Sequence, residues 1–373
     1  MRIVSVGTAL PPHAYDQQQL IDAIERYWSA RHFNAARVRR FHEAVAVGTR
    51  HLALPLDAYP ELDGFGASND AWIRVGLDIA AAALSRALAA AGLAPTDVDA
   101  IFLVSVTGIA TPSLDARLVN RLGLRPDVVR VPIFGLGCVA GTAGVARLGD
   151  WLKAWPDKVA VLLSVELCSL TLQRKDISVP NLIASGLFGD GAAAVVGVGD
   201  QHPLAETAPP APADAPGAPP SLPGTAAAGG PQVVAWRSRF YPDTEEVMGW
   251  DIGDDGFRIV LSAEVPAVVE RHLGADVDAF LAAEGLRRAD IGSYVCHPGG
   301  PRVLHAIQDT LGLTRDDLAM TWDSLAEVGN LSSASVLFVL ARTLRVRRPA
   351  AGSLGLMTAM GPGFCSELVL LRW

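Results

Sequence analysis

The chain is short of cysteine, of aromatic side chains and of positive charge. Its four cysteines, Cys138, Cys168, Cys296 and Cys365, stand far apart and form no C-x-x-C pair. That excludes a zinc knuckle and a disulfide-rich secreted scaffold, and points to a reducing cytoplasm. Lys and Arg total 31 against 39 Asp and Glu, a formal charge of −8. A protein that coats nucleic acid is excluded, because neutralising phosphates needs clustered cations. A local basic patch for a small phosphorylated ligand remains open. Long hydrophobic runs are missing as well. The nearest, Leu77 to Ala94, is interrupted by Asp78, Ser85 and Arg86, and suits a buried helix better than a membrane span. The segment Met1 to Gly7 reads as a short strand running into Pro11-Pro12. It lacks the apolar core and small-residue cleavage site of a signal peptide.

What is present is a chain of 373 residues, half of them hydrophobic, with 36 Gly and 25 Pro. Such a length predicts two domains or one duplicated one. Residues 201–231 are dense in Pro, Ala and Gly, without Phe, Trp, Tyr, Lys or Arg, and read as a flexible excursion that touches no catalytic group. It separates an N-terminal half, 1–200, from a C-terminal half, 232–373. Each half alternates β-branched runs with helical stretches. Strands are expected at Ala100–Val106, Val129–Phe134, Lys158–Glu166, Ala192–Val198, Val233–Ser238, Ser293–Cys296, Ser353–Thr358 and Glu367–Trp373. Helices are expected at Ala71–Ala91, Asp115–Leu122, Cys138–Ala154, Glu264–Ala283, Arg302–Leu311 and Asn330–Leu344. The pattern predicts an internal duplication. Gly137-Cys138-Val139-Ala140-Gly141 and Gly329-Asn330-Leu331-Ser332-Ser333 each open a helix of small residues. Two such helices can pack closely back to back, which would bring Cys138 beside Asn330.

Cys138 is the candidate nucleophile, since a helix N-terminus stabilises a thiolate and lowers the thiol pKa. Taken alone, a free cysteine more often just packs. His297 follows the strand-like Tyr294-Val295-Cys296 and precedes Pro298-Gly299-Gly300-Pro301, at a strand end where catalytic groups commonly stand. Asn330 alone is explained equally by helix capping. Together the three supply a nucleophile, an imidazole and an amide donor for an oxyanion or enolate. Gly361-Pro362-Gly363 is a turn that lets backbone N–H groups approach a ligand, and it matches no nucleotide-binding fingerprint.

With these motifs on view, the chain resembles the type III polyketide synthases, the chalcone-synthase-like branch of the thiolase superfamily. The likeness rests on Thr107-Gly108, Thr111-Pro112-Ser113-Leu114-Asp115, Gly137-Cys138, Leu187-Phe188-Gly189-Asp190-Gly191-Ala192, His297-Pro298-Gly299-Gly300-Pro301, Gly329-Asn330-Leu331-Ser332-Ser333 and Gly361-Pro362-Gly363. It covers nearly the whole chain except 201–231. The resemblance implies a duplicated five-layer α/β/α/β/α fold and a homodimer. It implies a Cys138, His297, Asn330 triad acting on coenzyme A thioesters: an acyl-CoA starter loaded on Cys138 and extended by malonyl-CoA. An oxyanion site at Gly361, Pro362 and Gly363 follows, with no metal or redox cofactor. It further implies gatekeepers Phe188 and Phe257, cavity positions Thr111, Cys168, Thr171 and Ser332, and CoA-phosphate contacts Arg37, Arg40 and Arg302. A solvated charged face accounts for Arg37 and Arg40 equally well. Cys168 and Thr111 look most like those of bacterial alkylpyrone and alkylresorcinol synthases, which implies a long-chain starter. Two other readings stay in play, a single-condensation ketoacyl-ACP synthase III-like enzyme and an inactive acyl-CoA-binding scaffold. A degradative thiolase is disfavoured, because Cys365 follows the glycine loop where a second catalytic cysteine would precede it.

Overall fold

The computed structural model describes residues 1–28, 35–206 and 226–373. Its frame is one mixed ten-stranded sheet. In the N-terminal half the strands run in the order Val129–Ile133, Ala100–Val104, Val159–Leu167, Asp190–Val198, Arg2–Ala9. The order continues through Gln232–Phe240, Cys365–Arg372, Leu354–Gly361 and Ile291–Cys296. The halves join where Arg2 pairs with Gln232.

Alternate residues of each strand feed different helical layers, as the two-residue period requires. Along Val159–Leu167, Val161, Leu163 and Val165 pack under the long helix Gly64–Ala91, while Ala160 and Leu162 face the middle of the molecule. In the second half, Met357, Val369 and Leu371 face the same middle layer, and Leu356, Leu368 and Leu370 face the helices Val265–Ala283 and Pro301–Leu311. The middle layer is the helix pair Ala140–Ala154 and Ser335–Val346, so the layers follow the expected α/β/α/β/α succession. Small residues permit the close spacing. A Cβ on Gly141 would lie 2.2 Å from the Ser333 carbonyl oxygen, and one on Gly7 2.4 Å from that of Ala83. The alanine-rich run is thus a helix lying tightly on the strand Arg2–Ala9. Among the described residues no helix is long and apolar enough to cross a membrane.

Two expectations need correction. Residues 207–225 of the proline-rich segment lie outside the described residues, but its last part is not a loop: Ala226–Ala228 pairs with Ser5–Gly7 in the sheet. The helix expected at Asn330 begins only at Ser335, after a 3-10 turn over Ser332–Ala334. Asn330 instead forms an isolated parallel bridge with Phe188. Sequence patterning also missed the hairpin Met248–Gly253/Gly256–Leu261 and the helices Gln17–Trp28, Ala35–Ala44, Val179–Leu187 and Ala319–Val328.

Candidate active site

Gly137–Val139 forms one 3-10 turn running into the helix Ala140–Ala154, and Cys138 is buried in that turn. Gly137 has φ +59, and a Cβ there would lie 2.5 Å from the Pro362 ring. Only glycine tolerates both the conformation and the contact. A Cβ on Gly361 would in turn lie 2.8 Å from the Val139 backbone nitrogen. The Gly361–Gly363 turn, between the strands Leu354–Gly361 and Cys365–Arg372, therefore rests against the backbone of the cysteine turn.

His297 follows the strand Ile291–Cys296, and its backbone N–H donates to Thr358 O at 2.9 Å. Both ring nitrogens are buried without a partner among the described residues. Asn330 is fixed by Leu187 and Gly189 through its backbone, at 2.9 and 3.0 Å. Its Oδ1 accepts from the Ser332 N–H at 2.8 Å and from the Ser335 hydroxyl at 3.3 Å, which leaves the amide NH2 as the free end. Ser332, held at φ +49, places its hydroxyl 3.7 Å from the Cys138 sulfur. Non-glycine residues in this region carry strain and cluster at functional sites. Cys138, His297 and Asn330 line one cavity of about 40 Å³, closed by Phe188, Met360 and Phe364.

The electrostatics differ from the expected lowered thiol. Burial pushes Cys138 up to about 12; the Ser332 hydroxyl opposes this and the Glu166 charge adds to it. Burial holds His297 down to about 3. A rise from 9.0 to about 12 disfavours the thiolate by ~4 kcal/mol, more than the ~0.3–2 kcal/mol a helix terminus returns. Taken singly, both groups are neutral at pH 7.

Glu166, which sequence reasoning missed, sits beneath the site in the apolar strand Val159–Leu167. Its carboxylate accepts from Thr107 Oγ1 at 2.8 Å, from the Val106 N–H at 3.2 Å and from the Ser333 hydroxyl. Burial pushes it up to about 7 against those hydrogen bonds. A lone carboxylate inside a continuous apolar strand was the signal available.

Phe188 also lines a second cavity of about 520 Å³ with Cys168, Thr171, Tyr59, Arg50 and Leu56. One hairpin walls both spaces: the cross-strand pair Trp250/Ile259 faces the large cavity and Met248/Leu261 the catalytic one. Phe257 lines neither. It is buried in an aromatic cluster, 5.4 Å from Phe65 edge-on and 5.9 Å from Trp250. Thr111 is exposed and likewise lines neither of these two cavities. Arg37 and Arg40 are exposed on the helix Ala35–Ala44, Arg37 over the Phe41 ring, and neither reaches a cavity wall. Arg302 is exposed in the first turn of Pro301–Leu311, flanked by Gly299 and Val303, which do line the catalytic cavity.

Two family models match, the N-terminal domain of chalcone and stilbene synthases over residues 1–201 and their C-terminal domain over 232–373. A 1,3,6,8-tetrahydroxynaphthalene synthase of Streptomyces peucetius subsp. caesius is 52% identical, covering 100% of this chain and 93% of the relative. A 3,5-dihydroxyphenylacetyl-CoA synthase of Streptomyces toyocaensis is 33% identical, covering 100% and 90%. The crystal structure of the 1,3,6,8-tetrahydroxynaphthalene synthase of Streptomyces coelicolor, a bacterial type III polyketide synthase, superposes with a TM-score of 0.89 at 29% identity, covering 100% and 99%.

Proposed function

The chain belongs to the chalcone and stilbene synthase family and is a type III polyketide synthase, and from that premise we propose that it builds a polyhydroxylated aromatic from malonyl-CoA on Cys138. The observation that carries the reading is the single cavity shared by Cys138, His297 and Asn330. The thiol passes its proton to His297 and attacks the starter thioester, and coenzyme A leaves as the free thiol, taking that proton from His297 and returning it to the neutral form. The next malonyl thioester then loses its carboxylate as carbon dioxide, and the released electron pair becomes an enolate. A neutral His297 and the Asn330 amide donate hydrogen bonds to the enolate oxygen, which stabilises charge that exists only during reaction. The enolate carbon attacks the Cys138 thioester, the tetrahedral oxyanion collapses, and the thiolate leaves. The lengthened chain, now on coenzyme A, is returned to Cys138 for the next round.

Product class rests on chemistry. A naphthalene bearing oxygen on carbons 1, 3, 6 and 8 is a cyclised poly-β-ketone without an alkyl side chain, so its starter contributes only ring carbons. The 52% identical relative is named for that product, and we assign the same class here in place of the long-chain alkylpyrone or alkylresorcinol expected from Cys168 and Thr111. The long-chain reading keeps one support, the apolar lining of the large cavity. Its about 520 Å³ lies within the ~300–1,000 Å³ that holds drug-sized ligands. The reading includes a homodimer, supported by the exposed apolar side chains Ile109 and Phe134, and light scattering at several concentrations measures it.

Mass spectrometry of purified protein with malonyl-CoA alone, and with short, aromatic and long acyl-CoAs, tests the assignment. The aromatic product is expected from malonyl-CoA alone and from wild type only, with Cys138→Ala forming neither acyl-enzyme nor product. Products formed solely with long acyl starters would replace this reading with the alkylpyrone one.

A further inference from the structure

The two cavities differ in what they can hold. The catalytic cavity, at about 40 Å³, has no room for an acyl chain, whereas its neighbour, at about 520 Å³, has the size of a ligand pocket. A chain carried by Cys138 therefore has to extend past Phe188, which lines both. The wall it passes is the hairpin Met248–Gly253/Gly256–Leu261. Among the described residues this hairpin is a two-stranded sheet of its own, paired with no other strand. A lone two-stranded ribbon is marginally stable in water, so its position depends on what holds it from outside.

At the base of the hairpin the Ser262 N–H donates to Val247 O at 2.9 Å. The strand Gly256–Leu261 lies against the helix Val179–Leu187 and the turn Cys168–Thr171, and Phe257 packs on Phe65 and Trp250. Gln173 stands at the tip. Its amide Nε2 donates to Asp255 O at 3.1 Å and to Phe257 O at 3.0 Å, the carbonyls on either side of Gly256. Gln173 is itself anchored, since its own carbonyl accepts from Nδ2 of the buried Asn181 at 2.8 Å. Lys175 stands 3.8 Å from Asp255, but both side chains are more than half exposed, and such a pair contributes little. Apolar packing holds the tip without direction. The amide fork gives it one place against the wall of the large cavity.

The register of the hairpin turns that place into a dimension of the cavity. The pair Trp250/Ile259, which faces the large cavity, lies two residues from the base pair Met248/Leu261, which faces the catalytic one; the tip pair Gly253/Gly256 lies five residues out. At about 3.4 Å per residue, swinging the tip by about 2 Å about the base moves Trp250 and Ile259 by about 0.8 Å and leaves Met248 and Leu261 in place. We propose that Gln173 is a positioning residue: by holding the hairpin tip it sets the width of the large cavity, and so the length of acyl chain that Cys138 accepts. The proposal rests on the reading of Cys138 as the acylated residue.

Gln173→Met is the first test, because methionine matches glutamine in length and donates no hydrogen bond. Loading of Cys138 by acetyl-CoA and by decanoyl-CoA is followed by intact-protein mass. The ratio of the decanoyl to the acetyl rate constant should rise about fivefold or more, once two hydrogen bonds cease to favour the inward hairpin. Acetyl loading itself should stay within about twofold, since a two-carbon group does not reach the large cavity. In hydrogen exchange, the amides of residues 248–261 should exchange about fivefold faster or more than in wild type, with those of 140–154 unchanged. An unchanged or lower loading ratio in a folded variant overturns the proposal; equal slowing of both starters, the mark of general destabilisation, is such a result. Faster exchange in both segments alike overturns it too. Wild type that loads neither acyl group overturns the reading of Cys138 and the proposal with it. If Gln173→Met does not fold, Gln173→Asn, which keeps the amide and withdraws it by one methylene, takes its place with the same expected rise and the same refuting result.

Discussion

Gly141→Ala is the substitution that most directly tests how the two halves of the chain are held in catalytic register. Inside a helix, glycine to alanine normally stabilises by about 0.5–1 kcal/mol, because alanine has less backbone freedom to lose. Here the added methyl would stand 2.2 Å from Ser333 O and 2.6 Å from Val336 Cγ1. Real Cβ contacts stay beyond 3.0 Å, so the middle helices must part by about 0.8 Å or more against a backbone oxygen that cannot rotate away. Overpacking of this kind costs about 1–3 kcal/mol, which outweighs the propensity gain. The part that moves is the turn carrying Asn330, Ser332 and Ser333, and a displacement near 1 Å can cost about 100-fold in rate. Gly66→Ala is the control, since Gly66 lies in the helix Gly64–Ala91 with nothing within 4 Å of an added Cβ. Thermal melts and malonyl-CoA turnover should show Gly141→Ala less stable and at least about tenfold slower, and Gly66→Ala equally active and no less stable. If Gly141→Ala matched wild type in both assays, the argument that small residues set the distance between Cys138 and the Asn330 turn would be wrong.

Other expectations follow from the buried charges. In His297→Gln the thiol loses its proton acceptor and burial acts unopposed, so the pH profile of Cys138 alkylation by iodoacetamide should move upward by about 1–3 pH units; an unmoved profile would mean the thiolate forms without His297. Glu166→Gln removes a negative charge that pushes the Cys138 thiol up, so the same profile should move to lower pH, and an upward move would refute that direction. Because Glu166 itself sits at about 7, the difference between Glu166→Gln and wild type should be small at pH 5 and grow above pH 7, where the wild-type carboxylate is charged. Ser332→Ala removes the hydroxyl 3.7 Å from the sulfur. It should slow Cys138 acylation measured by intact-protein mass, and an unchanged acylation rate would assign Ser332 to packing alone.

Which of these features could be read from the sequence follows from how far each depends on three-dimensional register. Cys138 and Asn330 each follow a glycine, and His297 stands between a strand and Gly299-Gly300, and such local punctuation is what makes them candidates in the sequence. Small residues announced the close middle helices for the same reason. The cavity wall was not legible. Phe257 and Ile259 lie on one strand two residues apart, and both are apolar, but hairpin register sets Ile259 opposite Trp250 at the large cavity and leaves Phe257 opposite Ile252. No period in the sequence distinguishes them. The charge state of Cys138 failed differently: a helix start is visible in sequence, whereas the depth of burial that outweighs it is set by Phe188 and by Met360 and Phe364, which arrive from two distant segments. Arg50 combines both obstacles. It stands beside the short strand residues His51 and Leu52 and looks like any surface arginine, yet its partners are Gln17, Ser185 and Phe188.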